Sequence, residues 1–356
     1  MLDTSKAYLE FIRYSISTDS KVPESASSID WRDYLHFCNR QSVIGLVFGG
    51  IQKADLNIDQ STLMQWIMVA ESLKEKNRRI NKNTILTDKL FAKLGLRTCI
   101  MKGQANGLMY PNPELRTPGD IDVWAEGKPE VVIKKVLGIA PRARYTFQHI
   151  KLRIFKKATI EVHYRPMYLT NWFKDRKVQQ YISEIEDRQF SNRVPFYGDE
   201  IGCLTDDFNV IFQLLHMHSH FFTTRNNFKQ FIDYYYLLKK IGGNIDKERA
   251  CELLDRFGVR KYASGIMWIM RETLGLDAEC LIMEPHAEMG KLILLESQNL
   301  VTTKDKRGRL RYLIRLIFGN LRIARYLPSD VLISPLFLIW HQWWKQKMKR
   351  AVESTR

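Results

Sequence analysis

The chain is poor in cysteine. Cys38, Cys99, Cys203, Cys251 and Cys280 are scattered over 356 positions, with no Cys-x-x-Cys pair. An odd, dispersed set argues against a disulfide framework and against a thiolate zinc site. Long apolar runs are also missing. The longest, VLISPLFLIW (Val331–Trp340), is about half of what a bilayer span needs and contains Pro335. The opening MLDTSKAYLEFIRY lacks a basic stretch followed by an apolar one, so there is no sign of a secretory leader, and a cytoplasmic location is the expectation. No internal repeat or low-complexity tract occurs. Negative charge is scarce towards the C-terminus: residues 304–356 hold thirteen Lys or Arg against three acids, Asp305, Asp330 and Glu353.

What is present is an ordinary globular composition, 45% hydrophobic and 26% charged, which is enough to bury a core. The net charge of +16 is not ordinary. A basic surface draws phosphates, nucleotides, nucleic acid or anionic lipid, and it says nothing about fold. In the C-terminal segment Arg309, Arg311, Tyr312, Arg315, Arg322, Arg325, Trp343, Trp344, Lys345 and Lys347 interleave basic and aromatic side chains. An anionic polymer or a membrane surface fits such a segment, and so does the solvated face of a packed helix.

Three regions differ in texture. Residues 1–95 read as helical: Trp31, Tyr34, Leu35 and Cys38 recur at helical spacing, and Leu63–Leu94 has few breakers. Residues 96–200 switch period. RTCIM is β-like, QANGLMY suits a short helix, and PNPELRTPG is a loop. DIDVW alternates as a half-buried strand should. KPEVVIKKVLG reads as a helix with Pro129 in its first turn. RYTFQHIKLRIFKK and TIEVHYR read as antiparallel strands turning near Lys157-Ala158. Residues 201–356 return to helices with apolar stripes over Asp206–Phe222 and Phe228–Gly243. The expected fold is α+β: a small mixed β-sheet core with helical regions on both sides.

Chemistry concentrates in the middle region. Asp120 and Asp122 leave one face of a strand, while Ile121 and Val123 point the other way into a core. Two carboxylates so placed repel unless a cation lies between them. Mg²⁺, or Mn²⁺, is suited to hard oxygen ligands and phosphates. TIEVHY repeats the pattern, with Glu161 and His163 on one face. If the two strands are neighbours, three carboxylates can hold two metals, which would activate an attacking hydroxyl and clamp a triphosphate. Glu161 could also accept the nucleophile's proton. His163 would be a supporting partner or a packing residue. Lys102-Gly103-Gln104 ends one strand and opens a helix, whose N–H groups suit phosphate. Lys102 adds a point charge, Arg116 a two-pronged phosphate contact, and Gly119 lets a loop or phosphate approach the backbone.

The order of strand, glycine turn, short helix, Asp-hydrophobic-Asp and a later acid on another strand resembles the DNA polymerase β-type nucleotidyltransferases. MKGQANGLMYPNPELRTPGDIDVW followed by IEVHYRP looks more closely like the uncharacterised bacterial nucleotidyltransferase family of the NTP_transf_5 type. The flanking HMHSHF and FKQFIDYYYLL look similar too. The resemblance implies a two-metal transfer of a nucleoside monophosphate from an NTP, releasing pyrophosphate, with Asp120, Asp122 and Glu161 as ligands. Many relatives have Gly-Ser or Gly-Gly at the turn, where this chain has Gly103-Gln104 and so no serine hydroxyl. The acceptor, whether a sugar, a metabolite, a protein or RNA, does not follow.

Other readings stand beside this one. A DxD pair also marks nucleotide-sugar glycosyltransferases, although these usually place a nucleotide-binding α/β unit before it. A non-catalytic nucleotide or nucleic-acid binding protein is a further alternative. His216, His218 and His220 invite a zinc reading. However, His216 and His220 share a helix face, His218 does not, and no HExxH glutamate is present. They read instead as partly buried histidines near the cleft, with Asp233 a candidate partner. The run Tyr234-Tyr235-Tyr236 reads as packing.

Overall fold

The computed structural model describes residues 2–18, 21–298, 321–333, 336–337, 340 and 343–344. Helices come first: α1 (Leu2–Ile16), α2 (Trp31–Gln41), α3 (Ile44–Lys53) and α4 (Gln60–Lys93). Asp30 starts α2 by accepting from the backbone N–H groups of Arg32 and Asp33, both at 3.0 Å, and Asp59 caps α4 in the same way. The sheet segment follows: β1 (Thr98–Ile100), α5 (Gln104–Gly107), β2 (Ile121–Ala125), α6 (Pro129–Ile139), β3 (Arg144–Tyr145), β4 (His149–Leu152) and β5 (Ile160–His163). Then come α7 (Trp172–Ser191), the hairpin β6 (Arg193–Phe196) and β7 (Asp199–Gly202), and helices α8 (Asp206–Thr223), α9 (Phe228–Ile241), α10 (Lys247–Arg256), α11 (Arg260–Trp268) and α12 (Ala287–Gln298).

The fold is α+β, as expected. The five-stranded sheet has the order β1-β2-β5-β4-β3 and is mixed: β2 and β5 run parallel, and the other neighbours are antiparallel. Its register fixes the chemistry. Asp122 pairs with Glu161, which pairs with Lys151, and His163 pairs with His149. Side chains alternate between faces. Ile121, Val123, Ile150, Ile160 and Val162 therefore go to one face, where α6 covers them with Val132, Ile133 and Val136 in a dry core. The charged and imidazole side chains go to the other.

That other face is roofed by the flanking helices, which share a single core. Buried residues of α1, α2 and α3 pack in one cluster with those of α8, α9, α11 and α12. Gln41 at the end of α2 ties the two ends of the chain together: its amide donates to the Ser297 carbonyl and accepts from the Phe228 N–H, each at 3.0 Å. Two elements went unread in the sequence, α7 and the β6–β7 hairpin, whose turn Tyr197-Gly198 has positive φ at both residues. All five cysteines are free. Among the described residues no helix is long and apolar enough to cross a membrane. Arg309, Arg311, Tyr312, Arg315, Lys345 and Lys347 lie outside the described residues. Trp344 is not a surface platform. It packs edge-on against Phe147, ring centroids 5.1 Å apart, over the sheet core.

Candidate active site

A cleft of about 460 Å³ lies between the polar face of the sheet and helices α8 and α9. Its floor holds Asp120, Asp122 and Glu161, and its walls include Lys102, Gly103, Arg116, Gly119, His216, His220 and Lys229. The structure brings the three carboxylates to one cavity, Asp122 from β2 and Glu161 from β5, but Asp120 from the loop residue just before β2 and not from the strand itself.

The carboxylates are held differently. Lys102, just past β1, places Nζ 3.2 Å from Asp122 Oδ1, and His163 Nε2 lies 3.2 Å from the same oxygen. Burial alone would raise the Asp122 carboxyl, but Lys102 and the His163 hydrogen bond outweigh it and hold the group well below the usual carboxylate range. Glu161 is likewise lowered: burial and Asp122 push it up, while His149, the Lys151 ammonium bonded to it and His163 pull it down further. Asp120 has weaker support, since only Lys151 pulls it down. Burial first, then the charges of Glu161 and Asp122, raise its carboxyl.

Helix α4 sets the geometry of the loop before β2. Asn77 Nδ2 donates to the Glu114 carbonyl at 2.6 Å and to the Arg116 carbonyl at 2.8 Å, and Lys76 Nζ donates to the Pro118 carbonyl at 3.2 Å. Gly45 on α3 lets the same loop come close, since a Cβ there would lie 2.0 Å from the Leu115 carbonyl oxygen. Gly103 has φ +65°, a conformation that glycine adopts without cost.

Two expected phosphate ligands are employed elsewhere. Arg116 lies in the cleft wall, but its Nε and Nη2 each donate to a different Asp233 carboxylate oxygen at 2.7 Å, and Tyr110 donates to Asp233 Oδ1 at 2.7 Å. The fork read as a phosphate grip is closed on a buried carboxylate, and Asp233 pairs with Arg116, not with a histidine. Gln104 turns away from the cleft, donating to Asn77 Oδ1 at 3.4 Å and to Asn81 on α4. Its side chain orders the turn.

Two other side chains at the site, one beside the cleft and one in its wall, were not singled out from sequence. Lys151 pairs with Glu161 across β4 and β5. Lys229, in the first turn of α9, lines the cleft and forms no ion pair with a carboxylate among the described residues. Burial and the nearby Arg116 push its ammonium down to about 8. The alternation of β4 could have marked Lys151; the place of Lys229 depends on how α9 packs. Of the three α8 histidines, His216 and His220 line the cleft, with ring centroids 4.4 Å apart. His218 points into the core against Phe222 and Tyr262. The tyrosine run 234–236 is buried, as its packing role requires.

A mixed sheet that brings an Asp-x-Asp strand beside a glutamate strand, with a lysine-glycine turn at the edge of the shared cleft, is the arrangement of a nucleotidyltransferase. Residues 27–275 match the family model described as uncharacterised nucleotidyltransferase, and the chain belongs to that family. An antigenic nucleotidyltransferase-like protein from Paracoccidioides brasiliensis, known from its crystal structure, is 10% identical, with a TM-score of 0.37 over 60% of this chain and 96% of that one. No curated protein matches the sequence.

Proposed function

We propose that the protein transfers a nucleoside monophosphate from an NTP to an acceptor and releases pyrophosphate, with Asp120, Asp122 and Glu161 as ligands for Mg²⁺ or Mn²⁺. The observation that carries this is the register of β2 and β5, which sets Asp122 beside Glu161 on the cleft side of the sheet. The donor set fits a hard divalent cation: the oxygens are carboxylate, and all three groups line one cleft. When bound, such ions supply charge neutralisation on the triphosphate and activation of an acceptor hydroxyl.

The chain's own groups have separable tasks. Lys102 and Lys229 put two ammonium groups in the cleft for the triphosphate. The Gly103 turn and Gly119 allow close approach of phosphate to backbone. Arg116 acts through Asp233, fixing the loop that delivers Asp120. Glu161, held ionised, can accept the acceptor's proton. Family membership disfavours the nucleotide-sugar reading of the DxD pair. The acceptor stays a class, a hydroxyl or phosphate on a sugar, metabolite, protein or RNA.

The test is release of pyrophosphate from each of the four NTPs with Mg²⁺ or Mn²⁺ across a panel of acceptors. Activity that the Asp120→Asn, Asp122→Asn double variant lacks is the expected result. A wild type inactive with every NTP and acceptor would favour a binding protein that retains the fold.

A further inference from the structure

Behind the cleft carboxylates lies a second donor set that nucleotidyl transfer does not require. His149 on β4 and His163 on β5 are register partners, and Glu161 sits two residues before His163, on the same face. The three side chains offer ligand atoms that all lie within 4.8 Å of one another. Glu161 Oε2 is 3.8 Å from His149 Nδ1 and 3.7 Å from His163 Nε2, while its other oxygen faces Lys151. Asp122 Oδ1 adds a fourth donor, 3.2 Å from His163 Nε2.

The hydrogen-bond inventory of this corner is incomplete in an informative way. Both ring nitrogens of His149 are buried with no hydrogen-bond partner, while His163, whose side chain is only 2% exposed, turns Nε2 towards Asp122 and Glu161. Buried polar atoms are normally satisfied, so an orphaned imidazole facing a carboxylate asks for an occupant. A proton could serve one pair, but not three convergent donors. An ion with bonds of about 2.0–2.2 Å holds tetrahedral ligand atoms roughly 3.4 Å apart, close to the spacing seen. Two imidazoles with a carboxylate are borderline donors, suited to zinc-class transition ions and unsuited to Mg²⁺.

We infer that His149, His163 and Glu161, with Asp122 adjoining, form a site for a divalent transition-metal ion of the zinc class, occupied without nucleotide. The site shares Glu161 with the proposed nucleotidyl-transfer centre, but it stands on the two histidines and holds whether or not that reaction occurs. It would give the protein a resident structural or charge-setting ion beside the exchangeable, nucleotide-borne ones.

The experiment is equilibrium dialysis of the chelator-stripped, nucleotide-free full chain against Zn²⁺, with metal analysis and thermal unfolding. About one zinc per chain is expected, with a higher melting temperature on loading. His149→Ala should weaken zinc binding at least about tenfold, whereas His218→Phe, in the core away from the set, should not. Should His149→Ala fail to fold, X-ray absorption on the zinc-loaded wild type reads the ligands directly, and imidazole scattering is expected. An oxygen-only shell, no retained zinc, or equal zinc in wild type and His149→Ala overturns the assignment. Zinc binding without pyrophosphate release from any NTP removes the nucleotidyl-transfer reading and leaves this site in place. Pyrophosphate release without zinc binding does the reverse.

Discussion

Asp120 and Asp122 are two residues apart and face the same cleft, yet their environments are opposite. Asp122 is compensated by Lys102 and His163, whereas Asp120 meets burial and two like charges. A carboxyl raised in the fold disfavours its ionised form, so at neutral pH the charge on Asp120 costs stability. Asp120→Asn is therefore expected to hold or raise the melting temperature while lowering pyrophosphate release at least about a thousandfold, because a metal ligand contributes several kcal/mol to the transition state. Asp122→Asn should lose the same activity and also lower the melting temperature, since Lys102 is left without its carboxylate. Paired thermal unfolding and activity assays separate the two. At the same scale, Arg116→Met leaves the buried Asp233 without its guanidinium partner, an expected loss of about 3–5 kcal/mol in urea unfolding. Arg116→Met with Asp233→Leu should recover much of it. If Arg116 instead gripped phosphate, its loss would raise the KM for NTP and leave stability near wild type.

Strands and helices carry these side chains to one place, and much of that assembly is legible in the sequence. Ile-Asp-Val and Ile-Glu-Val alternate with apolar residues at every second position, a strand signature, and β2 and β5 form there, although β2 is buried on both faces and not half-buried. Pro129 at the start of α6 and Gly242 at the end of α9 stand where helix boundaries require them. What was not legible depends on distant contacts. The Arg116–Asp233 pair joins residues 117 apart in sequence, and no local pattern reveals it. α7 buries only a thin stripe, including Val178, Tyr181, Ile182 and Phe190, amid charged residues, so its periodicity is faint. The hairpin strand β6 contains Pro195, which weakens any strand reading. His149 gained meaning only once β4 lay against β5. The close approach of α3 to the site loop gives an element-scale expectation. Gly45→Ala should cost about 1–3 kcal/mol by forcing Leu115 away, and it should raise the KM for NTP, because the displaced loop leads to Asp120. An unchanged KM with full stability would mean that α3 does not set the loop.

Over the whole molecule, the buried histidines are expected to contribute to the response to acid. Burial first lowers His218 and His220, each to about 4, against an ordinary value of 6.5. A histidine kept neutral in the fold contributes stability that is complete above the unfolded value, and this is lost as pH falls from about 6.5 towards 4. Denaturation midpoints should therefore drop over that window. His218→Phe, away from the cleft and among aromatic rings, should flatten part of the drop without changing activity at neutral pH. An unaltered acid limb in that variant would assign the loss to other groups. The net charge of +16 belongs to this scale too, and by the proposed reading it would favour the approach of anionic nucleotides to a cleft that holds Lys102 and Lys229. By the proposed reading Asp122 on β2, Glu161 on β5 and Asp120 just before β2 together hold a metal-bound triphosphate. A crystal of the protein with Mn²⁺ and a non-hydrolysable NTP, read by anomalous scattering, tests it most directly. Manganese is expected about 2 Å from the Asp120 and Asp122 oxygens, with the triphosphate against Lys102 and Lys229. A nucleotide bound outside this cleft, or a triphosphate there with no manganese on either aspartate, would contradict it.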